Sequence, residues 1–235
     1  MRFTALLMVA LAASPALELA DELATARRSW DVEQIMAVHS RVRSELAGLT
    51  TEEAVMVRVS AGLAAAEVLR VGYEESSDGR DEKGLLGDRI DAVAKEALEW
   101  LDRLPESSER ERIRADLLAT MIRSDYRAKK LEPELRAAVD RALALDPDNP
   151  MAHTTAAKPL LFAPVNKGRD IEAAMQHLDR ALTLEPGLES ARLLRASARE
   201  TGGDLEGARS DARAALAANP DCAPAIRLLE RLGEP

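Results

Sequence analysis

The chain has 235 residues, 46% of them hydrophobic and 31% charged, with a formal charge of −9 at pH 7. That balance is typical of a soluble, Ala/Leu/Glu/Arg-rich helical protein and excludes a disordered one. An acidic pI near 5.1 and 3% aromatic residues leave neither a phosphate-binding surface nor a stacking platform, so no nucleic-acid partner is expected.

The N-terminus reads Arg2, an apolar run from Phe3 to Ala13, then the small-residue stretch Ala12-Ala13-Ser14-Pro15-Ala16. This is the layout of a cleavable secretory signal, and the run is too short to span a bilayer. Residues 1–16 are therefore expected to be removed, with the cut after Ala16; a cut after Ala12 also satisfies the small-residue rule. A periplasmic or secreted protein without a membrane span follows. Cys222 is the only cysteine, so no internal disulfide can form and stability must come from helix packing.

Residues 17–29 read as a short helix broken near Ser29-Trp30-Asp31. From Val32 the residues Ile35, Val38, His39, Val42 and Leu46 follow the helical period. His39 lies on that stripe and is expected to be a hydrogen-bonded core residue. Thr50 and Glu53 form a capping box for a helix from Thr51 to about Val71 that is apolar nearly all round, the pattern of an inner helix covered on both sides. Residues 73–87 combine glycine, serine and charge and predict a surface loop. A calcium loop fails there, because Leu85 falls where the bidentate glutamate is needed. A helix over Asp88–Leu104 ends at Pro105. Ser108 and Glu111 form a second capping box before a helix carrying Ile113, Leu117, Leu118, Met121 and Ile122.

The second half repeats one phrase: Ala142-Leu143-Ala144-Leu145-Asp146-Pro147, Ala181-Leu182-Thr183-Leu184-Glu185-Pro186 and Ala215-Leu216-Ala217-Ala218-Asn219-Pro220. The prolines are 39 and 34 residues apart, and 34 is the period of a helix–turn–helix repeat. Alanines permit close helix approach, leucines form the buried stripe, and proline stops the helix. Asn149, Asp170 and Asp204 are placed as N-caps. The five extra residues of the longer interval lie around Phe162–Arg169, after a helix that Pro159 should kink or shorten.

With small residues at Ala157 and Ala196 ahead of these phrases, the pattern resembles the tetratricopeptide repeat (TPR) family over residues 131–235, the last helix serving as a cap. Residues 17–130 read as a divergent continuation, since Trp100 stands where the clear copies have alanine. The resemblance implies an all-α fold, an α-solenoid of stacked antiparallel helix pairs. It also implies a protein or peptide partner along the concave face made by the first helix of each pair. Carried onto this chain, that face includes Thr154, Lys158, Leu161, Leu193, Ser197 and Arg227. The inserted turn presents Asn166, Lys167 and Arg169 as a docking loop or a plain solvated connection.

No catalytic constellation stands out. There is no G-x-S-x-G, no H-E-x-x-H, no paired cysteine and no glycine-rich phosphate loop. His39, His153 and His177 come from different helices, so no metal and no cofactor are expected and the chain is read as a non-enzyme. The alternative to a scaffold is an accessory subunit of a periplasmic solute-uptake system, which predicts a defined oligomer with a pore or pocket lined by first helices. The sequence leaves the oligomeric state open.

Overall fold

The computed structural model describes residues 14–76, 80–163 and 168–233. Among the described residues eleven helices follow one another. They are α1 (Pro15–Ser29), α2 (Val32–Glu45), α3 (Glu52–Glu75), α4 (Arg80–Leu101), α5 (Ser108–Met121) and α6 (Asp125–Leu145), then α7 (Pro150–Phe162), α8 (Ile171–Leu184), α9 (Glu189–Thr201), α10 (Leu205–Ala218) and α11 (Ala223–Arg231). Each of the eight helices α1 to α3, α5 to α8 and α10 opens on a polar side chain that accepts a backbone N–H of the first turn: Ser14, Asp31, Thr51, Ser107, Ser124, Asn149, Asp170 and Asp204. Each such cap is worth about 1 kcal/mol.

The three Xaa-Pro stops share one geometry. Asp146, Glu185 and Asn219 all sit at φ between −135° and −147° and ψ between 89° and 96°. The ring of the following proline excludes the helical region for the residue before it, so each helix must end there. Each of the three still donates its own N–H back to the alanine four residues earlier, Ala142, Ala181 or Ala215.

The helices pair as antiparallel hairpins, α3 with α4, α5 with α6, α7 with α8 and α9 with α10, and α1 with α2 in the same manner, while α11 covers α10. First helices also touch each other in succession, α1 with α3, α3 with α5, α5 with α7 and α7 with α9. Hairpins stacked in this way form an all-α, TPR-like solenoid. The core is a chain of overlapping apolar patches that runs along the stack, each shared by neighbouring hairpins. The repeated alanines Ala138, Ala142, Ala174, Ala181, Ala208 and Ala215 are all fully buried in it. In the first half α3 and α4 approach closely: a Cβ on Gly62 of α3 would stand 2.8 Å from the Ala97 Cβ of α4.

Several local expectations shift. Helix α3 continues to Glu75 and α4 begins at Arg80, so most of the loop predicted over 73–87 is helix. Gly87 lies inside α4 with the Arg123 guanidinium against it: a Cβ there would stand 3.3 Å from Arg123 Nε. Thr51, not Thr50, caps α3. Ser107, not Ser108, caps α5. Ser108 is buried and its hydroxyl accepts from Asn149 Nδ2 at 2.9 Å, while Glu111 faces Arg141 at 3.1 Å instead of closing a capping box. The boundary drawn at residue 131 falls inside α6. The apolar run and the residues before Ser14 lie outside the described residues; Ala16, however, is buried in the core that α1 shares with α2 and α3.

Candidate functional site

The turn ends of α3, α5 and α7, with the first turns of α6, enclose a groove of about 540 Å³. Ala115 and Ala119 of α5, Ile122 directly after it and Leu135 of α6 form its floor, and Pro159 and Phe162 of α7 form one wall. Phe162 is 63% exposed, an unusual state for a phenyl ring that has an apolar surface beside it. It is also the last residue of α7, directly before the insertion.

The charged groups around the groove are already engaged. Asp116, 3% exposed, accepts from Lys158 Nζ at 2.7 Å, from Arg112 Nη1 at 2.6 Å and from Thr155 Oγ1 at 3.1 Å. Burial pushes its carboxyl upward, but Lys158 and Arg112 outweigh burial and hold it below the usual carboxylate range. Arg112 in turn is held by Glu109 at 2.6 Å. On the opposite wall Arg70 of α3 donates to Glu74 at 2.7 Å and reaches the carbonyls of Thr120 and Ile122. A cation at that point complements the C-terminal end of α5. What remains for an occupant is the apolar floor.

The residues proposed from the repeat positions do not gather into one surface. Lys158 lines the groove, paired to Asp116. Thr154 is fully buried and its hydroxyl donates to the Pro150 carbonyl at 2.8 Å, whereas Thr155, one position on, faces the groove. Leu161 is buried in the α7–α9 core and Leu193 packs against the core of α9 to α11. Ser197 donates to the Leu193 carbonyl at 3.1 Å. Arg227 is exposed on α11. In the insertion, Asn166 and Lys167 lie outside the described residues, and Arg169 Nε donates to the Ala163 carbonyl at 2.7 Å, closing the loop back onto the end of α7. Gly168 has φ +100°, a conformation that glycine adopts without strain.

Two histidines that the sequence leaves apart are brought together. His153 Nδ1 and His177 Nδ1 are 3.0 Å apart, and His153 Nε2 is 2.9 Å from the Pro147 carbonyl. A carbonyl only accepts, so His153 carries its proton on Nε2 and His177 donates from Nδ1. The ring centroids, 5.3 Å apart, are spaced as two rings meeting end to end across that bond. Two imidazoles on one metal ion would instead meet at an angle. Burial, then the neighbouring His153, lowers the pKa of His177. Among the described residues no group of three or more histidine, cysteine or acidic side chains is placed to hold a metal ion. No described helix is long and apolar enough to cross a membrane.

Compared with known proteins, the chain matches no family model, and no curated protein matches it. Among solved structures it is similar to the crystal structure of YrrB, a TPR protein with an unusual peptide-binding site. The identity is 14% and the TM-score 0.44, over 92% of this chain and 99% of that one.

Proposed function

We propose that the chain is a non-catalytic scaffold that binds a protein partner through a peptide segment presenting several apolar side chains. The supporting observation is the groove at the turn ends of α3, α5 and α7, whose rim charges are compensated and whose floor and Phe162 wall are apolar. Its volume suits a few side chains and not a folded surface. Recognition is therefore carried by burial of the partner's apolar groups, with Phe162 and Ala163 in the lining of the groove.

The test selects displayed peptides on the intact chain. Selected peptides should be rich in apolar residues and lose about tenfold or more in affinity when Ala119→Arg fills the floor. They should keep their affinity for Arg227→Glu on the remote last helix. Peptides indifferent to Ala119→Arg would overturn the reading. The alternative, an accessory subunit of a solute-uptake system, is brought forward by a defined oligomer in sedimentation.

We further propose that the protein is exported and that the cut falls after Ala12. A cut after Ala16 would remove the Ser14 cap and the buried Ala16, whereas a cut after Ala12 leaves α1 whole. N-terminal sequencing of the exported fraction should begin at Ala13; a chain that retains Met1 overturns export.

A further inference from the structure

The first and last hairpins of the solenoid touch each other. Asn219, at the stop of α10, donates from Nδ2 to the backbone carbonyl of Arg28, 191 positions earlier near the end of α1, at 3.0 Å. Helix packing in the stack runs from each hairpin to the next. This bond instead joins the two ends, so the stack curls back on itself. First helices pack on one another in succession and so lie on the inner side of the bend.

Each side of the contact has a chemical reason. The closing carbonyls of a helix have no partner within it. In α1 that of Ala26 accepts from Ser29 Oγ at 3.2 Å and that of Arg27 from the Trp30 N–H at 3.3 Å. The carbonyl of Arg28 takes its donor from Asn219. On the other side, Asn219 is the one amide among the three Xaa-Pro stops. Asp146 Oδ1 accepts the N–H of Asp148 at 3.0 Å, and Asn219 Oδ1 repeats that bond with Asp221 at 3.2 Å. An ionised carboxylate can do no more there than accept. The amide has two N–H groups left, and they reach the Arg28 carbonyl and, at 2.9 Å, Glu189 Oε2. Glu189 opens α9, and its other oxygen accepts from the Cys222 thiol at 3.4 Å, so the donor is held by the last hairpin.

We propose that Asn219 is a latch that holds the solenoid curled end to end and thereby keeps the peptide groove in shape. An exposed hydrogen bond of this kind is worth no more than about tenfold in an equilibrium, so latched and released stacks are both populated and a ligand can shift them. The groove lies between α3, α5 and α7, whose mutual angles change when the stack unbends. It is formed in the latched chain, so the latched form is the one that binds. This coupling rests on the groove being the peptide site; the latch itself does not.

Double electron–electron resonance on the intact chain reads the latch directly, with nitroxides on Thr25→Cys of α1 and Ala217→Cys of α10, both exposed positions. Native Cys222 stays unlabelled, because it is buried and burial pushes its thiol up to about 11. A short-distance population is expected, and Asn219→Asp should lower its ratio to longer distances about fivefold. Asp146 shows that aspartate suits such a stop, so this variant keeps its fold. Asn219→Ala, which places no charge beside Glu189, should act likewise. Apolar peptides selected on the native chain should bind Asn219→Asp about two- to threefold more weakly and, at saturation, raise the short-distance population of the native chain. The latch is overturned by native distances that are long only, or by a short population that neither variant lowers. A distance shift with unchanged peptide affinity overturns the coupling. Peptides indifferent to Ala119→Arg overturn the groove reading instead, and the distances alone then decide the latch.

Discussion

Two buried charged clusters lie one hairpin apart in the same solenoid and are built on opposite terms. Around Asp116 every charge has a partner: Arg112, Lys158 and Thr155 converge on one carboxylate, and Glu109 takes up the rest of Arg112. Around Arg58 the one carboxylate, Glu96, is already taken by Arg43, and the guanidinium rests on Trp100 with two nitrogens unbonded. A buried ion pair is weak support for stability in itself, but removing one member leaves the other stranded. The first cluster is therefore a fastener between α5 and α7 that fails badly when broken. The second has little to lose.

The largest effect expected is that of Arg112→Ala. It leaves Asp116 buried with only Lys158 for charge and should cost about 3–5 kcal/mol in urea denaturation. Lys158→Met should cost less, because Lys158 is partly solvated and Asp116 keeps Arg112 and Thr155. Equal losses for the two variants would show that the cluster does not act through Arg112. Next comes Gly62→Ala in the hairpin that carries Arg58. Glycine to alanine in a helix normally stabilises by about 1 kcal/mol. Here the new Cβ would stand 2.8 Å from Ala97, so overpacking reverses the sign and the variant should lose about 1 kcal/mol or more. Adding Ala97→Gly should restore part of the loss; additive losses in the double variant would refute the contact.

Acid separates the clusters further. His39 beside Arg58, and His177 in the α7–α8 hairpin, have folded pKa values below the ordinary histidine value of 6.5. A histidine depressed in the folded state binds its proton more readily when unfolded, so its contribution is present above pH 6.5 and is lost as pH falls through the folded pKa. For His177 the cause is burial, to which the neighbouring His153 adds. Asp116 is lowered from 3.8, so its contribution survives to pH values beneath the histidine window. The urea midpoint should therefore begin to fall as the pH drops below 6.5, before Asp116 contributes to the loss. His177→Gln should flatten part of that fall, and a profile unchanged by it would remove the histidine pair as a cause.

How much of this was legible follows the range of the interactions. The three Xaa-Pro stops and the caps at Asn149, Asp170 and Asp204 depend on neighbours a few residues away, and the sequence displays them. The loop over 73–87 was misread because an exposed helix carries the same polar and glycine-rich composition as a connection. Gly84 and Gly87 both lie inside α4, and the Arg123 guanidinium against Gly87 is brought there by the fold. The Asp116–Lys158 pair spans 42 residues and has no local signature. The groove was missed for a finer reason. One step along a helix turns a side chain by about 100°, so Thr154 enters the core while Thr155 faces the groove. The blurred first half offered no register for Ala119 and Ile122.

The smallest effect expected is that of Arg58→Met, which sharpens the comparison most. Removing a charged group normally destabilises when partners are left behind, but Arg58 leaves none with an unfilled bond. Its loss forfeits the stacking on Trp100, a contribution of about 0.5–2 kcal/mol. In return it relieves the desolvation of a buried guanidinium and its repulsion by Arg43 and Arg103. Methionine refills much of the side-chain volume with apolar atoms. The two changes should nearly cancel, to within about 1 kcal/mol of the native stability. A loss on the scale expected for Arg112→Ala would mean that Arg58 holds a partner, and the two clusters would then be alike.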